Sequence, residues 1–181
     1  MVMDFTRTFI AAAAIVAATP APSALAQQVT KEAREGIKNF ARLETTVACA
    51  GAITTDAMPE IRKMGFVSVI NLREAHEPGA EIEKHRAAAE AAGLRYYHVP
   101  FTTAKPDPKA ADQFIKAISS EGAEPAFIHC AGANRAAAMW LIKRLAVDHW
   151  EVDRAVTEAT ALGLTSPALK QWAIEYARPD R

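Results

Sequence analysis

The spacing of apolar and polar positions changes period several times along this chain, and the changes predict strands alternating with helices. Thr30-Lys31-Glu32-Ala33 reads as an N-cap and first turn, with a helix running on to about Phe40 or Arg42. Residues 45–50 form a short β-rich segment, and Thr55-Asp56 can cap a helix through Met64 that carries Pro59 early and stops at Gly65. Residues 66–72 are then almost continuously apolar, the pattern of a parallel strand covered on both faces. After a charged loop at 74–79, residues 80–92 have helical composition closed by Gly93, and 94–99 read as another strand. A loop at 100–108 and a helix at 109–119 lead to a fourth strand at 126–129, and helices at 134–147, 151–161 and 167–177 follow.

Such alternation implies right-handed crossovers, hence a three-layer α/β domain whose central, mainly parallel sheet of four to five strands is flanked by helices. Ligands bind such sheets beyond the carboxyl ends of the strands, which is where Arg73, the Pro100 loop and Cys130 fall. With 181 residues, half of them hydrophobic, one core is expected, in a single domain over residues 27–181. The 21 basic and 21 acidic side chains cancel and form no stripe, so neither nucleic acid nor an anionic membrane is an evident partner.

Residues 1–26 read as a secretory signal. Arg7 supplies a weak basic region, 8–18 are apolar but too short to span a bilayer, and Ala24-Leu25-Ala26 gives a small-x-small cleavage pattern before Gln27. A periplasmic or secreted protein with no stable membrane association after cleavage is the expectation. The two cysteines, Cys49 and Cys130, could form one disulfide in such a compartment, although the apolar run around Cys49 favours a buried thiol.

The chemistry concentrates in Phe127-Ile128-His129-Cys130-Ala131-Gly132-Ala133-Asn134-Arg135. A cysteine ends an apolar strand, and an arginine follows one tight loop later where a helix starts. Inward N–H groups and the helix N-terminus suit an oxyanion, Arg135 offers a planar bidentate fork, and the same field favours a nucleophilic Cys130 thiolate. His129 orients the loop or is a satisfied core histidine. Gly132 is expected to take a positive φ or admit a close oxyanion, which Ala133 tolerates less well. Asn134 either ties the loop or caps the helix. Arg73 could extend the positive field or form a structural ion pair. His85, His98 and His149 lack metal-site spacing, so neither metal nor cofactor is assigned.

These residues resemble the signature loop of the cysteine-dependent phosphatases, the protein-tyrosine and dual-specificity superfamily. More closely, the chain is similar to the bacterial phosphatase-like family related to beta-lactamase-hydrolase-like proteins. The resemblance extends through Gly51-Ala52-Ile53-Thr54, the 65–73 segment and the 93–100 segment, from about Asn39 to Leu145. It implies a dual-specificity-phosphatase-like fold and hydrolysis of phosphate monoesters, on a small molecule or a protein, through a cysteinyl-phosphate. Cys130 would be the nucleophile, Arg135 the oxyanion binder, and residues 129–134 with Arg73 the substrate-binding shell.

Relatives place the general acid, an aspartate, in the loop after the strand that ends here near Val99. Thr102 and Thr103 occupy the first positions, so Asp107 is the nearest carboxylate, with a helix cap as its alternative role. His76, Glu74 and Glu77 are weaker candidates from the facing loop. Four residues separate Cys130 from Arg135, whereas phosphatases typically have five, and Ala136 stands where a hydroxyl residue usually follows the arginine. The short loop also resembles that of rhodanese-type sulfurtransferases, which would carry a Cys130 persulfide. A non-catalytic anion-binding module is the third reading.

Overall fold

A computed structural model describes residues 28–178, so the expected signal at residues 1–26 lies outside them. Six strands form one sheet: β1 (Val29–Lys31), β2 (Ala41–Leu43), β3 (Val47–Ala50), β4 (Ser68–Asn71), β5 (Arg95–His98) and β6 (Ala126–His129). Their order is β1-β2-β3-β6-β4-β5, with β3, β6, β4 and β5 parallel and the first two pairings antiparallel. Helices α1 (Met58–Lys63) and α2 (Ile82–Ala91) cover one face. The other is covered by α3 (Pro108–Ile118), α4 (Asn134–Ile142), α5 (Val152–Ala161) and α6 (Pro167–Tyr176).

The period of two sorts the strand residues between the layers. Ile70, Ile128 and Cys49 face α3 to α6, whereas Val69, Phe127 and Ala48 face α1 and α2. On the second face Phe127 stacks on Phe40 and meets Phe66 edge-on. Because both faces are covered, β3, β4 and β6 are buried at every residue, which is why they read as continuous apolar runs.

Two expectations fail at the N-terminal end. The helix predicted from Thr30 is instead β1, an irregular segment and β2, which raise the sheet to six strands rather than four or five. Gly36, at φ +69°, approaches Thr54 so closely that a Cβ there would lie 2.5 Å from its Oγ1, and Asn39 is also at positive φ. The backbone between them pairs with the extension of β3: Lys38 N–H donates to Ala52 O (2.9 Å) and Thr54 N–H to Gly36 O (2.9 Å). Tertiary pairing has overridden the helical propensity of Lys-Glu-Ala-Arg.

Helix α4 carries the start of the candidate site and is buried from Arg135 to Ile142. It continues as a π-helical turn at Lys143–Val147. There Arg144 donates to Glu158 Oε1 (2.7 Å) and to Asp148 (2.9 Å), and Trp140 Nε1–H donates to the same Glu158 oxygen (2.6 Å). One α5 carboxylate thus satisfies two buried donors and fixes α4 to its neighbour. Among the described residues no helix is long and apolar enough to cross a membrane.

Candidate active site

Strand β6 lies between β3 and β4, in register at Ala50, His129 and Asn71. The chain leaves the sheet at Cys130, whose N–H still donates to Ala50 O (3.1 Å). An outward ladder then shapes the loop. Ala52 N–H donates to Ala131 O (3.1 Å), Asn39 Nδ2–H to Gly132 O (3.3 Å), and Gly51 forms a bridge with Gly132. Carbonyl and amide of one trans peptide point in opposite directions. The N–H groups of Gly132 and Ala133 therefore turn inward, and that of Ala133 donates to the buried Cys130 Sγ (3.1 Å).

The positive φ expected at Gly132 falls on Ala133 instead, at φ +80°. Gly132 is held by its bridge to Gly51, so the chain reverses one residue later, at the entrance to α4. The glycine that close approach demands is Gly51, where a Cβ would lie 3.0 Å from Ala131 O. A left-handed alanine costs about 1–2 kcal/mol.

Arg135 is buried, and its donors are specifically engaged. Nη1 donates to Leu72 O (2.9 Å), Phe101 O (2.7 Å) and Glu77 Oε1 (2.6 Å), while Nη2 donates to Glu77 Oε2 (2.8 Å). Glu77 therefore takes the end of the guanidinium. The remaining Nε–H and second Nη2–H lie along one edge, a pair of parallel donors suited to two oxygens of an anion. Burial works against the Arg135 cation, but Glu77 and then Cys130 more than offset it and raise its pKa.

Glu77 is the residue whose role the sequence reading missed. Burial would push its carboxyl up, yet hydrogen bonds from Arg135, the Glu74 amide and Arg73 hold it at about 2. It is an anchored carboxylate rather than a proton donor. Arg73, also buried, closes the same loop by donating to Pro78 O (2.6 Å), Gly79 O (2.9 Å) and Glu77 Oε2 (3.3 Å). Its carbonyl accepts from His98 Nε2–H (2.8 Å). Arg73 thus acts within a structural ion pair.

His129 faces away from the sulfur. By strand alternation it shares the α2 side of the sheet, its ring 6.0 Å from that of His85, while Cys130 joins the opposite layer. Neither ring nitrogen has a well-formed hydrogen bond among the described residues, the Cys130 backbone being the polar group that acts on the ring. Burial, then His85, Arg73 and Arg135, hold its pKa down to about 3, against an opposing influence of the Cys130 backbone.

Asn134 is the first residue of α4 rather than its cap. Its Oδ1 accepts from the N–H groups of Thr165 (2.7 Å) and Ser166 (2.8 Å), tying the signature loop to the α5–α6 connection. Asp107 caps α3 by accepting from Lys109 N–H (2.9 Å). Glu74 contributes its amide to Glu77, and His76 is largely exposed beside Glu74. Cys49 is a free buried thiol on β3, pushed well up by burial, with Cys130 and Glu158 adding to the shift.

Residues 39–147 match the family described as Beta-lactamase hydrolase-like protein, phosphatase-like domain. The Beta-lactamase hydrolase-like protein of Agrobacterium fabrum is 33% identical over 108 residues, covering 56% of this chain but 24% of that relative. Among solved structures, a phosphatase candidate of Shewanella putrefaciens superposes with a TM-score of 0.64 at 17% identity, over 79% of this chain and 93% of the other. Pseudomonas aeruginosa TpbA, as a cysteine-to-serine variant in complex with phosphotyrosine, gives 0.60 at 16% identity over 86% and 91%. The core catalytic domain of a PP-IP phosphatase of Saccharomyces cerevisiae gives 0.60 at 13% identity over 77% and 85%. These likenesses establish the dual-specificity-phosphatase-like fold.

Two stability measurements follow from this geometry. Replacing the left-handed Ala133 by glycine, Ala133→Gly, should raise stability by about 1 kcal/mol, or roughly 2–4 °C in melting temperature for a domain of this size. A loss of stability would show that the positive φ is not maintained in solution. The second concerns acid. His129 is held below its ordinary 6.5, so the unfolded chain binds the extra proton, and the stability this contributes above pH 6.5 is lost as pH falls toward 3. Glu77, held below 4.5, adds its own loss only between about 4.5 and 2. Denaturant unfolding of His129→Gln should therefore show a shallower decline than wild type between pH 6.5 and 4.5, and parallel curves there would refute the buried neutral histidine. His85, also lowered, keeps part of the slope.

Proposed function

The chain belongs to the phosphatase-like domain family of the beta-lactamase hydrolase-like proteins, and on that footing we propose that it is an exported cysteine-dependent phosphatase acting on phosphate monoesters. The observation that carries this reading is the convergence of three groups from one short segment. The Cys130 Sγ lies against the Ala133 N–H, and Arg135, held end-on by Glu77, also interacts with the Cys130 side chain, so that its remaining donors and the sulfur share one site. A phosphoryl group seated there has two of its oxygens on those donors and others on loop and helix N–H groups, a preorganised cradle for the charge of the transition state.

In this mechanism the Cys130 thiolate attacks phosphorus in line, the Sγ–P bond forms as the bond to the departing oxygen breaks, and a cysteinyl-phosphate results. Water then attacks phosphorus, releases inorganic phosphate and returns the thiolate. Asp107 is the carboxylate assigned to protonate the departing oxygen. It opens α3 at the end of the loop from β5, and the Oδ2 that does not cap the helix is the atom to carry the proton. Substrates are phosphorylated small molecules or proteins, a reading supported by the phosphotyrosine bound to TpbA and by the PP-IP phosphatase neighbour. No nucleic acid is expected as partner, and the signal-like pattern of residues 1–26 supports a periplasmic or secreted location.

The decisive assay compares an aryl phosphate with thiosulfate plus cyanide, using reduced protein. Aryl phosphate turnover is expected, and Cys130→Ser should abolish it while leaving the fold and phosphate binding intact. Arg135→Lys keeps the charge but loses the paired edge, so turnover should fall at least about tenfold, of order 1.4 kcal/mol. Wild-type kinetics in that variant would remove the clamp from the mechanism. Sulfur transfer without ester cleavage would instead favour the sulfurtransferase reading that the four-residue loop supports.

The acid is tested by the leaving group. Asp107→Asn should slow esters with poor leaving groups far more than those with good ones, because only the former need protonation. Equal rates for wild type and variant across the series would leave Asp107 as the α3 cap alone.

A further inference from the structure

Behind the nucleophile lies a buried pair of histidines that the mechanism does not use. His129 has no exposed surface and His85, on α2, is 2% exposed. Their rings stand 6.0 Å apart at 66°, too far for a direct nitrogen-to-nitrogen hydrogen bond. Three of their ring nitrogens, both of His129 and Nδ1 of His85, are buried without a partner among the described residues. Buried imidazole nitrogens are seldom left unpaired, and a water molecule that bonds several such atoms is the usual solution in a polar interior.

The charged and titratable groups that face the pair come from every surrounding element. They are Glu81 at the start of α2, Arg73 after β4 and Arg135 on α4; of Cys130 it is the backbone, not the thiol, that acts on the His129 ring. None supplies the missing hydrogen bonds: Glu81 pairs with Lys84, and Arg73 and Arg135 donate to Glu77 and to backbone carbonyls. The two cations also favour a neutral pair, so that each ring offers one donor and one acceptor.

We propose that His85 is a positioning residue for the nucleophile, holding His129 through a water molecule seated between the two rings and thereby fixing the end of β6 from which Cys130 projects. The inference rests on Cys130 being the nucleophile. His129 cannot reach the sulfur, since the two side chains lie on opposite faces of the sheet, so its influence passes through the backbone. The His129 carbonyl accepts from Leu72 N–H (2.9 Å) and the next amide, of Cys130, donates to Ala50 O, so the direction of that strand end sets where Sγ stands. A ring held through water on the nitrogen that faces His85 keeps the residue in one rotamer and one tautomer. A ring without that hold lets the strand end shift, and small displacements of a reacting atom are costly in rate.

The test combines kinetics with imidazole nitrogen NMR on the full reduced protein. His85→Phe should lower kcat for an aryl phosphate by about tenfold with KM nearly unchanged, the mark of a displaced nucleophile rather than of lost substrate binding. His85→Gln, which keeps a donor and an acceptor, should restore most of the rate. The His129 ring nitrogens should report one neutral tautomer in wild type and a changed signal in His85→Phe, with a water contact detectable at the wild-type ring. Wild-type kcat in His85→Phe, equal losses in the Phe and Gln variants, or a wild-type ring with no water contact would each overturn the proposal. Should His85→Phe not fold, the Gln variant and the wild-type ring still decide it. If wild type cleaves no phosphate ester, the phosphatase reading falls, whereas the ring signals continue to report on the histidine contact itself.

Discussion

The site depends on one carboxylate shared by two guanidiniums. Glu77 meets Arg135 end-on and Arg73 from the side, and the Glu74 amide completes its coordination. A buried arginine without a partner would be strongly destabilising, and one paired on every donor would have nothing left for a ligand. Here a single carboxylate between two cations leaves the cluster with a net positive charge. It also immobilises the Arg135 plane while leaving one edge available. The clamp therefore does two things at once: it makes the burial of Arg135 tolerable, and it sets the orientation on which oxyanion recognition depends.

The same carboxylate explains why the loop after β4 has its shape. Arg73 cannot reach Glu77 without folding the intervening residues beneath its own guanidinium, and the carbonyls of Pro78 and Gly79 are turned inward to meet it. The Asn71 side chain extends this order toward the sheet edge by accepting from the Arg73 amide and donating to Tyr96 Oη (2.8 Å). His98 Nε2–H closes the circuit on the Arg73 carbonyl. The C-terminal ends of β4 and β5 are thus joined to Arg135 by hydrogen bonds rather than by apolar packing alone.

What was legible in the sequence is what lies close together in it. Strands β3, β4 and β6 announce themselves because both of their faces are covered, and Cys130 and Arg135 fall within one loop. The Glu77–Arg135 pair joins residues 58 positions apart, and the Asn134–Thr165 contact joins residues 31 apart. Neither carries a local signal: a glutamate in a charged loop and an asparagine before a helix each have commoner roles. The N-terminal strands were hidden for a different reason. With three residues each, β1 and β2 are too short for a period of two to show, and their irregular connection has the composition of a helix.

The loop itself shows how a local pattern can be right about chemistry and wrong about conformation. Four residues must carry the chain from a strand in the sheet to a helix behind it, while Ala131 and Gly132 spend their carbonyls on the outward ladder. The reversal is left to the residue next to α4, whatever its type, and that residue is Ala133. Its Cβ projects toward Gly163, where any added side chain would meet it at 3.2 Å, and Asn134 is bound to the following Thr165 and Ser166. The α5–α6 connection thus buttresses the strained turn from outside. The Ala133 N–H that meets Cys130 Sγ is therefore positioned by residues some thirty places downstream, and a reading confined to the loop would assign the turn to its glycine.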